Sequence, residues 1–295
     1  MSLNGLYVTT EKGELRWRPY EELRPDIHVG SFSEIARYVE WLQNVQVNLG
    51  VTLASRQIME LPKIKGAALI IDKSMASRKY FEQLPEIKNY NGTIICCDRA
   101  VYTVIEHRRP DYVCNLDSSP LCMSFFDRPD VKAASADITG VFSVTTNPLT
   151  IRLWHGPKTF FTPYLLGMQL TKSIVDATNA PYMQTGGNVA TFAYLLAYNL
   201  GANPIGLFGI TNGYETKAES EYAQALKFHS QKEGPYGPYW QDPVYEMYNN
   251  EILAYISYLR RTEKIKTVNT MKAGLLYSKD VKDKSLAEFI KENQE

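Results

Sequence analysis

Three short apolar runs in this chain each end at, or within two residues of, an aspartate. Asp72 follows AALII (67–71), Asp98 follows TIICC (93–97) and Asp117 follows DYVCN (111–115). If the runs are parallel strands, the three carboxylates converge on one sheet edge, where they can hold a metal, accept from a ribose hydroxyl or carry a proton. Aspartate also caps turns and helices, and Asp98 and Asp117 stand where a cap would be needed. A second group with chemical potential is Gly186-Gly187-Asn188. A glycine pair ahead of a helix allows close backbone approach, and the amides of Asn188 to Ala190 would face an anion. His155, beside Trp154 and near Asn147, is a candidate acid or base, whereas His107-Arg108-Arg109 reads as a solvated helix end.

The elements that must position these groups follow from periodicity. Val189, Ala193, Leu196, Ala197 and Leu200 recur at helical spacing, Gly201 ends the helix, and Ile205 to Phe208 form an apolar strand bounded by Pro204 and Gly209. The three aspartate-terminated runs are separated by stretches of helix length, so parallel strands with crossover helices are expected. VFSVT (141–145) and KTFF (158–161) are further strand candidates, giving a sheet of five or six strands. Before residue 60 the pattern predicts a short hairpin around Lys12 and Gly13, then a helix over Ser33 to Val47 with Ile35, Val39 and Leu42 on one face. After Gly213, HSQKEGPYGPYWQDP (229–243) reads as a surface loop or lid, followed by helices over 243–261 and 285–293.

Bulk properties narrow the function. The 295 residues balance 32 basic against 32 acidic side chains, so no global field favours nucleic acid or an anionic membrane. No apolar run approaches the roughly 20 residues of a membrane helix, and MSLNGLYVTT lacks a signal-peptide pattern, so a cytoplasmic location is expected. The four cysteines, Cys96, Cys97, Cys114 and Cys122, have no paired C-x-x-C spacing; they are expected to be buried, reduced thiols, with no metal ligand set. Neither a Gly-x-x-x-x-Gly-Lys-Ser/Thr loop nor a Gly-x-Ser-x-Gly elbow is present.

The paired aspartates with Pro110-Asp111 between them, and the glycine pair, helix and Gly-x-x-Pro-Ile strand of 186–209, carry a resemblance. Residues 64 to 215 resemble the family joining Maf flagellin glycosyltransferases to MptE-like 6-hydroxymethylpterin pyrophosphokinases. VNTMKAGLLY (268–277) is similar to a worn Thr-Glu-Gly-Gly element of that family. Two departures stand out. Where the family has a Gly-x-Gly-Pro-Ser-Leu turn, this chain has IIDKSMASR (70–78), and where the pyrophosphokinases have Asp-Leu-Asp-Gly it has Asn115-Leu116-Asp117-Ser118, closer to the glycosyltransferase branch.

The expected fold is α/β: a Rossmann-like, mainly parallel sheet with helices on both faces, plus N- and C-terminal helical extensions. The expected divisions are an N-terminal helical region, 1–63, a Rossmann-like domain, 64–215, and a C-terminal helical segment packing on it, 216–295. The resemblance implies a transferase using a nucleotide-activated donor, a nucleotide sugar, with a small-molecule or glycan acceptor. Asp117 and His155 would serve catalysis, and Asp72, Ser74, Asp98, Asn147, Gly186, Gly187 and Asn188 would bind the nucleotide. The alternatives are a pterin or thiamin-type pyrophosphokinase using ATP and magnesium, and a scaffold or ligand-binding protein that keeps the fold without chemistry. Self-association into a homo-oligomer is compatible with every one of these.

Overall fold

The structure is a computed structural model, and it describes residues 5–9, 15–19, 32–164, 168–223 and 229–294. Its strands are β1 (Gly5–Thr9), β2 (Leu15–Pro19), β3 (Arg56–Gln57), β4 (Ala68–Ile71), β5 (Thr93–Cys97), β6 (Tyr112–Asn115) and β7 (Thr139–Ser143), then β8 (Lys158–Phe161), β9 (Ile205–Phe208), β10 (Ser230–Gly234), β11 (Gly237–Gln241), β12 (Thr267–Asn269) and β13 (Val281–Asp283). Its α-helices are α1 (Phe32–Ala54), α2 (Val101–Val104), α3 (Met123–Phe126), α4 (Pro129–Ser135) and α5 (Pro148–Leu153), then α6 (Met168–Thr178), α7 (Val189–Leu200), α8 (Lys217–Ala223), α9 (Pro243–Thr262) and α10 (Leu286–Glu292).

Nine strands form one parallel sheet in the order β13-β12-β9-β4-β5-β6-β7-β8-β3, with helices around it, so the α/β Rossmann-like class holds. The sheet is larger than the five or six strands expected from sequence. The additional strands β3, β12 and β13 have two or three residues each, too few to show a period of two. β1 and β2 pair separately, and the residues around Lys12 and Gly13 that would join them lie outside the described residues. Among the described residues no helix is long and apolar enough to cross a membrane.

The chain divides into two compact units, one of residues 1–8, 16–62 and 96–195, the other of 9–15, 63–95 and 196–295. In the first, β6, β7 and β8 run in parallel register, with Cys114 opposite Val141 and Phe142 opposite Phe160, and β3 adds to β8 through Arg56 and Gln57. Trp154 fills the core beneath them, meeting Phe126 and Phe142 edge to face at 5.9 and 6.0 Å, while its indole N–H donates to the Ile138 carbonyl at 3.2 Å. Burial of each such ring stabilises the unit by about 1.5–3 kcal/mol, and the indole's partner avoids an offsetting desolvation cost.

Helix α1 is docked by polar groups, contrary to its apolar pattern. Val39 is 66% exposed, and Val47 and Leu53 are also exposed, whereas Asn44, Asn48 and Thr52 are buried. The reason lies in the segments that leave β6 and β7, whose carbonyls have no strand partner and need donors. Asn48 Nδ2 donates to the carbonyls of Val144 and Thr146 at 3.0 and 2.8 Å, and Asn44 Nδ2 donates to that of Thr145 at 3.0 Å. Asn48→Ala leaves two buried carbonyls without donors, so urea denaturation should show a loss of about 2–3 kcal/mol. A loss below about 0.5 kcal/mol would mean that these bonds are replaced at no cost.

In the second unit, β4 pairs with β9 from Ala68–Ile205 to Ile71–Phe208, and β12 and β13 continue the parallel ladder. The crossover after β4 is not an α-helix but a 3-10 run from Met75 to Asn89 that contains Pro85, which cannot donate a backbone bond. Residues 229–243, expected as a loop or lid, form an antiparallel hairpin whose tip is set by Gly237 at φ +101°. The bonds between Tyr214 and Trp240, at 2.8 and 2.7 Å, hold this hairpin in place. Asp242 then caps α9, its carboxylate accepting from the amides of Val244 and Tyr245, with Pro243 in the first turn. The expected C-terminal helical segment therefore also contributes two strands to the sheet and a hairpin.

Candidate functional site

The first unit brings four of the predicted residues or groups to the carboxyl ends of its strands. Asp98 follows β5, Asp117 follows β6, Asn147 follows β7, and the Gly186-Gly187 turn comes after a bridge between Thr162, at the end of β8, and Tyr182. Ligands of open α/β sheets bind outside this edge.

Asp98 does not cap a helix. Neither the 3-10 turn Asp98–Ala100 nor α2 has a side-chain cap, and Asp98 itself sits at φ +32°, a conformation that costs a non-glycine residue about 1 kcal/mol or more. Its carboxylate accepts from Asn115 Nδ2 at 2.6 Å. That bond fixes the amide's orientation, because the reverse would set two acceptors against each other. Asn115 Oδ1 is left fully buried with no hydrogen-bond partner. Burial, and then the negative charge of Asp98, push the neighbouring Cys114 thiol well above its usual range, so it stays protonated. All four cysteines are buried, and none forms a disulfide.

Asp117 does act as a turn residue. Its Oδ1 accepts from the Ser119 amide at 2.8 Å, and its Oδ2 from the Cys122 thiol at 3.1 Å. Asn147 caps α5, accepting from the Leu149 amide at 3.0 Å, while its Nδ2 donates to the Ser118 carbonyl at 3.2 Å. Ser118 in turn accepts from the Trp41 indole at 3.1 Å. Asp117 and Asn147 thus hold the loops that frame the Asp98–Asn115 pair.

At the glycine turn, Gly186 lies at φ +54° and Gly187 at φ +80°. A β-carbon on Gly186 would stand 2.4 Å from Thr191 Cγ2, so glycine is required there by packing as well as by backbone conformation. Asn188 caps α7 through the Thr191 amide at 2.9 Å, and the Asn188 amide is spent on the Thr185 carbonyl at 3.2 Å. Of the three amides expected to face an anion, those of Val189 and Ala190 have no bond within the turn. The Thr191 hydroxyl, fully buried, also has no partner. Behind the turn, Phe192 stacks on Phe161 at 3.9 Å.

His155 is exposed and lies between α5 and the start of β8, at the amino-terminal edge. It does not share an edge with Asp117, and the two cannot act on one group. The position of WHGP immediately before the KTFF strand is the sequence signal for this placement. Asp72 and Ser74 belong to the other unit, after β4. There the Asp72 amide donates to the Phe208 carbonyl at 2.9 Å, and Ser74 Oγ lies 2.7 Å from the Gly209 carbonyl and 2.8 Å from Thr211 Oγ1. Thr211 also reaches the Gly213 carbonyl at 2.9 Å, and Ser77 donates to the Ser74 carbonyl at 2.7 Å. Two hydroxyl protons on Ser74 and Thr211 face three contacts, so both are committed within the protein. Among the described residues, no three or more His, Cys, Asp or Glu side chains cluster as a metal site would need.

A family model described as 6-hydroxymethylpterin diphosphokinase MptE-like matches residues 81–217. Residues 81–217 are thus similar to MptE-like proteins. The MptE-like match contains Asp98, Asn115, Asp117, Asn147 and the glycine turn, and begins beyond the glycine-free 70–78 segment. A similar fold occurs in a Maf glycosyltransferase from Magnetospirillum magneticum AMB-1, with a TM-score of 0.58 and 14% identity over 82% of this chain and 38% of that one. This chain thus spans well under half of that structure. No curated protein matches the sequence. Sequence alone assigns no role to Asn44, Asn48 or Thr191 beside the candidate site. The signal for the first two was an Asn-x-x-x-Asn-x-x-x-Thr stripe, which falls on one helix face.

Proposed function

We propose that the chain is a transferase domain that binds a nucleotide-activated donor, a nucleotide sugar, at the carboxyl ends of β5 and β6. The observation that carries this reading is the Asp98–Asn115 pair. It places a carboxylate beside a buried amide oxygen without a donor, held by a strained backbone at the end of a parallel strand. Two adjacent acceptors suit two adjacent donors, and the vicinal hydroxyls of a ribose supply them, as at other strand-end acids of nucleotide-binding sheets. The amides of Val189 and Ala190, with the positive end of α7 behind them, would take the donor's phosphate. Asp117 keeps a place in the site as a positioning residue that fixes the loop after β6. The fold neighbour's description as a glycosyltransferase favours a sugar as the transferred group.

The MptE-like match favours a second reading, in which ATP and magnesium occupy the same edge and a diphosphate is transferred. Asn115, where that branch carries a carboxylate, leaves one ligand fewer for magnesium. A thermal-shift panel with CDP, UDP, GDP and ADP, and the corresponding sugar nucleotides, tests the proposal. At 100-fold excess over Kd a binder should add about 2.7 kcal/mol to stability, and one base should stand out. No shift with any of them would overturn the nucleotide reading. Magnesium-dependent release of AMP from ATP would replace the sugar transferase with the diphosphokinase.

A further inference from the structure

We propose that a second ligand site lies at the amino-terminal edge of β3, β6, β7 and β8, and that it takes a small organic phosphate with a hydroxyl-bearing body. A cavity of about 380 Å³ opens there within the first unit, at the end of the strands opposite Asp98 and Asp117. That volume lies within the range of small-metabolite pockets.

Three acids, Glu60, Asp111 and Asp137, line it beside three bases, and Asp111 pairs with Arg108 outside the lining. Arg109, at the rim, is matched by Asp137. Arg56 and Lys158 line the same cavity, and no carboxylate of the described residues lies within ion-pair distance of either. The Lys158 ammonium reaches the Gly156 carbonyl at 3.4 Å, a long and weak bond. Burial holds Lys158 below the usual lysine range, with no neighbouring acid to raise it. A partly desolvated cation without a counter-charge, such as Lys158, is relieved by a bound anion, and with the exposed Arg56 beside it in the lining it suits a phosphate dianion better than a single carboxylate.

The rest of the lining suits a hydroxylated body. Thr159 stands opposite Arg56 in the β3–β8 register, is 1% exposed, and its hydroxyl has no hydrogen-bond partner. Rotation of that hydroxyl gives a ligand both a donor and an acceptor. Glu60, also in the lining, can accept from a sugar hydroxyl. This assignment does not depend on what binds at the carboxyl edge.

Isothermal titration of the full chain with glucose 6-phosphate, inorganic phosphate and glucose tests the site. Glucose 6-phosphate should bind with a Kd of about 1 mM or tighter, more tightly than either fragment. Lys158→Met should weaken it at least tenfold, Lys158→Arg should retain most of it, and Asp98→Asn should leave it unchanged. Thermal midpoints establish that the variants fold. If Lys158→Met does not fold, Arg56→Gln, at an exposed position, carries the same expectation. Absence of binding to the unaltered chain, equal affinity for glucose, or wild-type affinity in both charge variants would overturn the proposal.

Discussion

Gly209→Ala should unfold the second unit or lower its stability by more than about 4 kcal/mol, beyond what most single substitutions do. Gly209 follows β9 at φ +83°, and a β-carbon there would stand 1.7 Å from the Asp72 carbonyl oxygen and 2.6 Å from its carbon. Both obstacles are backbone, so no rotamer change relieves them. The Gly209 carbonyl also accepts from the Ser74 amide at 3.1 Å and its amide donates to Met271 Sδ at 3.1 Å, so any shift of Gly209 disturbs the segments after β4 and after β12. Gly66→Ala is the matched control. Gly66 has a similar φ of +86° but nothing within 4 Å of an added β-carbon, so only the conformational cost of about 1–2 kcal/mol is expected. Urea denaturation of the two variants measures the difference, and equal midpoints would refute the close-approach argument.

Asp98→Asn should reduce affinity for the donor nucleotide about 100-fold, the scale set by hydrogen bonds to a charged acceptor at 1.5–3 kcal/mol. The new side chain can still accept from Asn115 Nδ2 through its amide oxygen, so the 2.6 Å bond and the local shape survive. Stability should therefore change by no more than about 1 kcal/mol, which separates the lost charge from a damaged fold. Calorimetric titration with whichever nucleotide the thermal-shift panel selects gives the affinity. An unchanged Kd would remove Asp98 from the site even if that nucleotide binds elsewhere on the chain.

The central strands were legible because ALII, TIICC, YVCN and IGLF are buried on both faces and read as unbroken apolar runs between glycine, proline or acidic breaks. The positions of Asp98 and Asp117 follow from the same logic, since each comes within two residues of a strand's end. The placement of His155 was legible only from the KTFF strand that follows it, because a helix returns the chain to the other edge before that residue, and proximity in sequence to Asn147 implies nothing about the edge. The division of labour between Asp98 and Asp117 was not legible. Both look like caps, and only the bonds to Asn115 in one case and to Ser119 and Cys122 in the other distinguish them. The glycine-free turn after β4 illustrates a further limit. Sequence shows no glycine there, while the structure shows that the close approach is made by Gly209, just after the adjacent strand.

The polar docking of α1 also bears on the order in which the chain folds. Asn44 and Asn48 bond to carbonyls 74 to 101 residues farther along. The helix leaves the ribosome before β6 and β7, yet the acceptors that anchor it exist only after those strands have formed, and its exposed valines and leucines give it little apolar surface with which to dock sooner. Helix α1 is therefore a late-docking element, held by hydrogen bonds whose formation reports that the loops of the proposed site have already reached their final course.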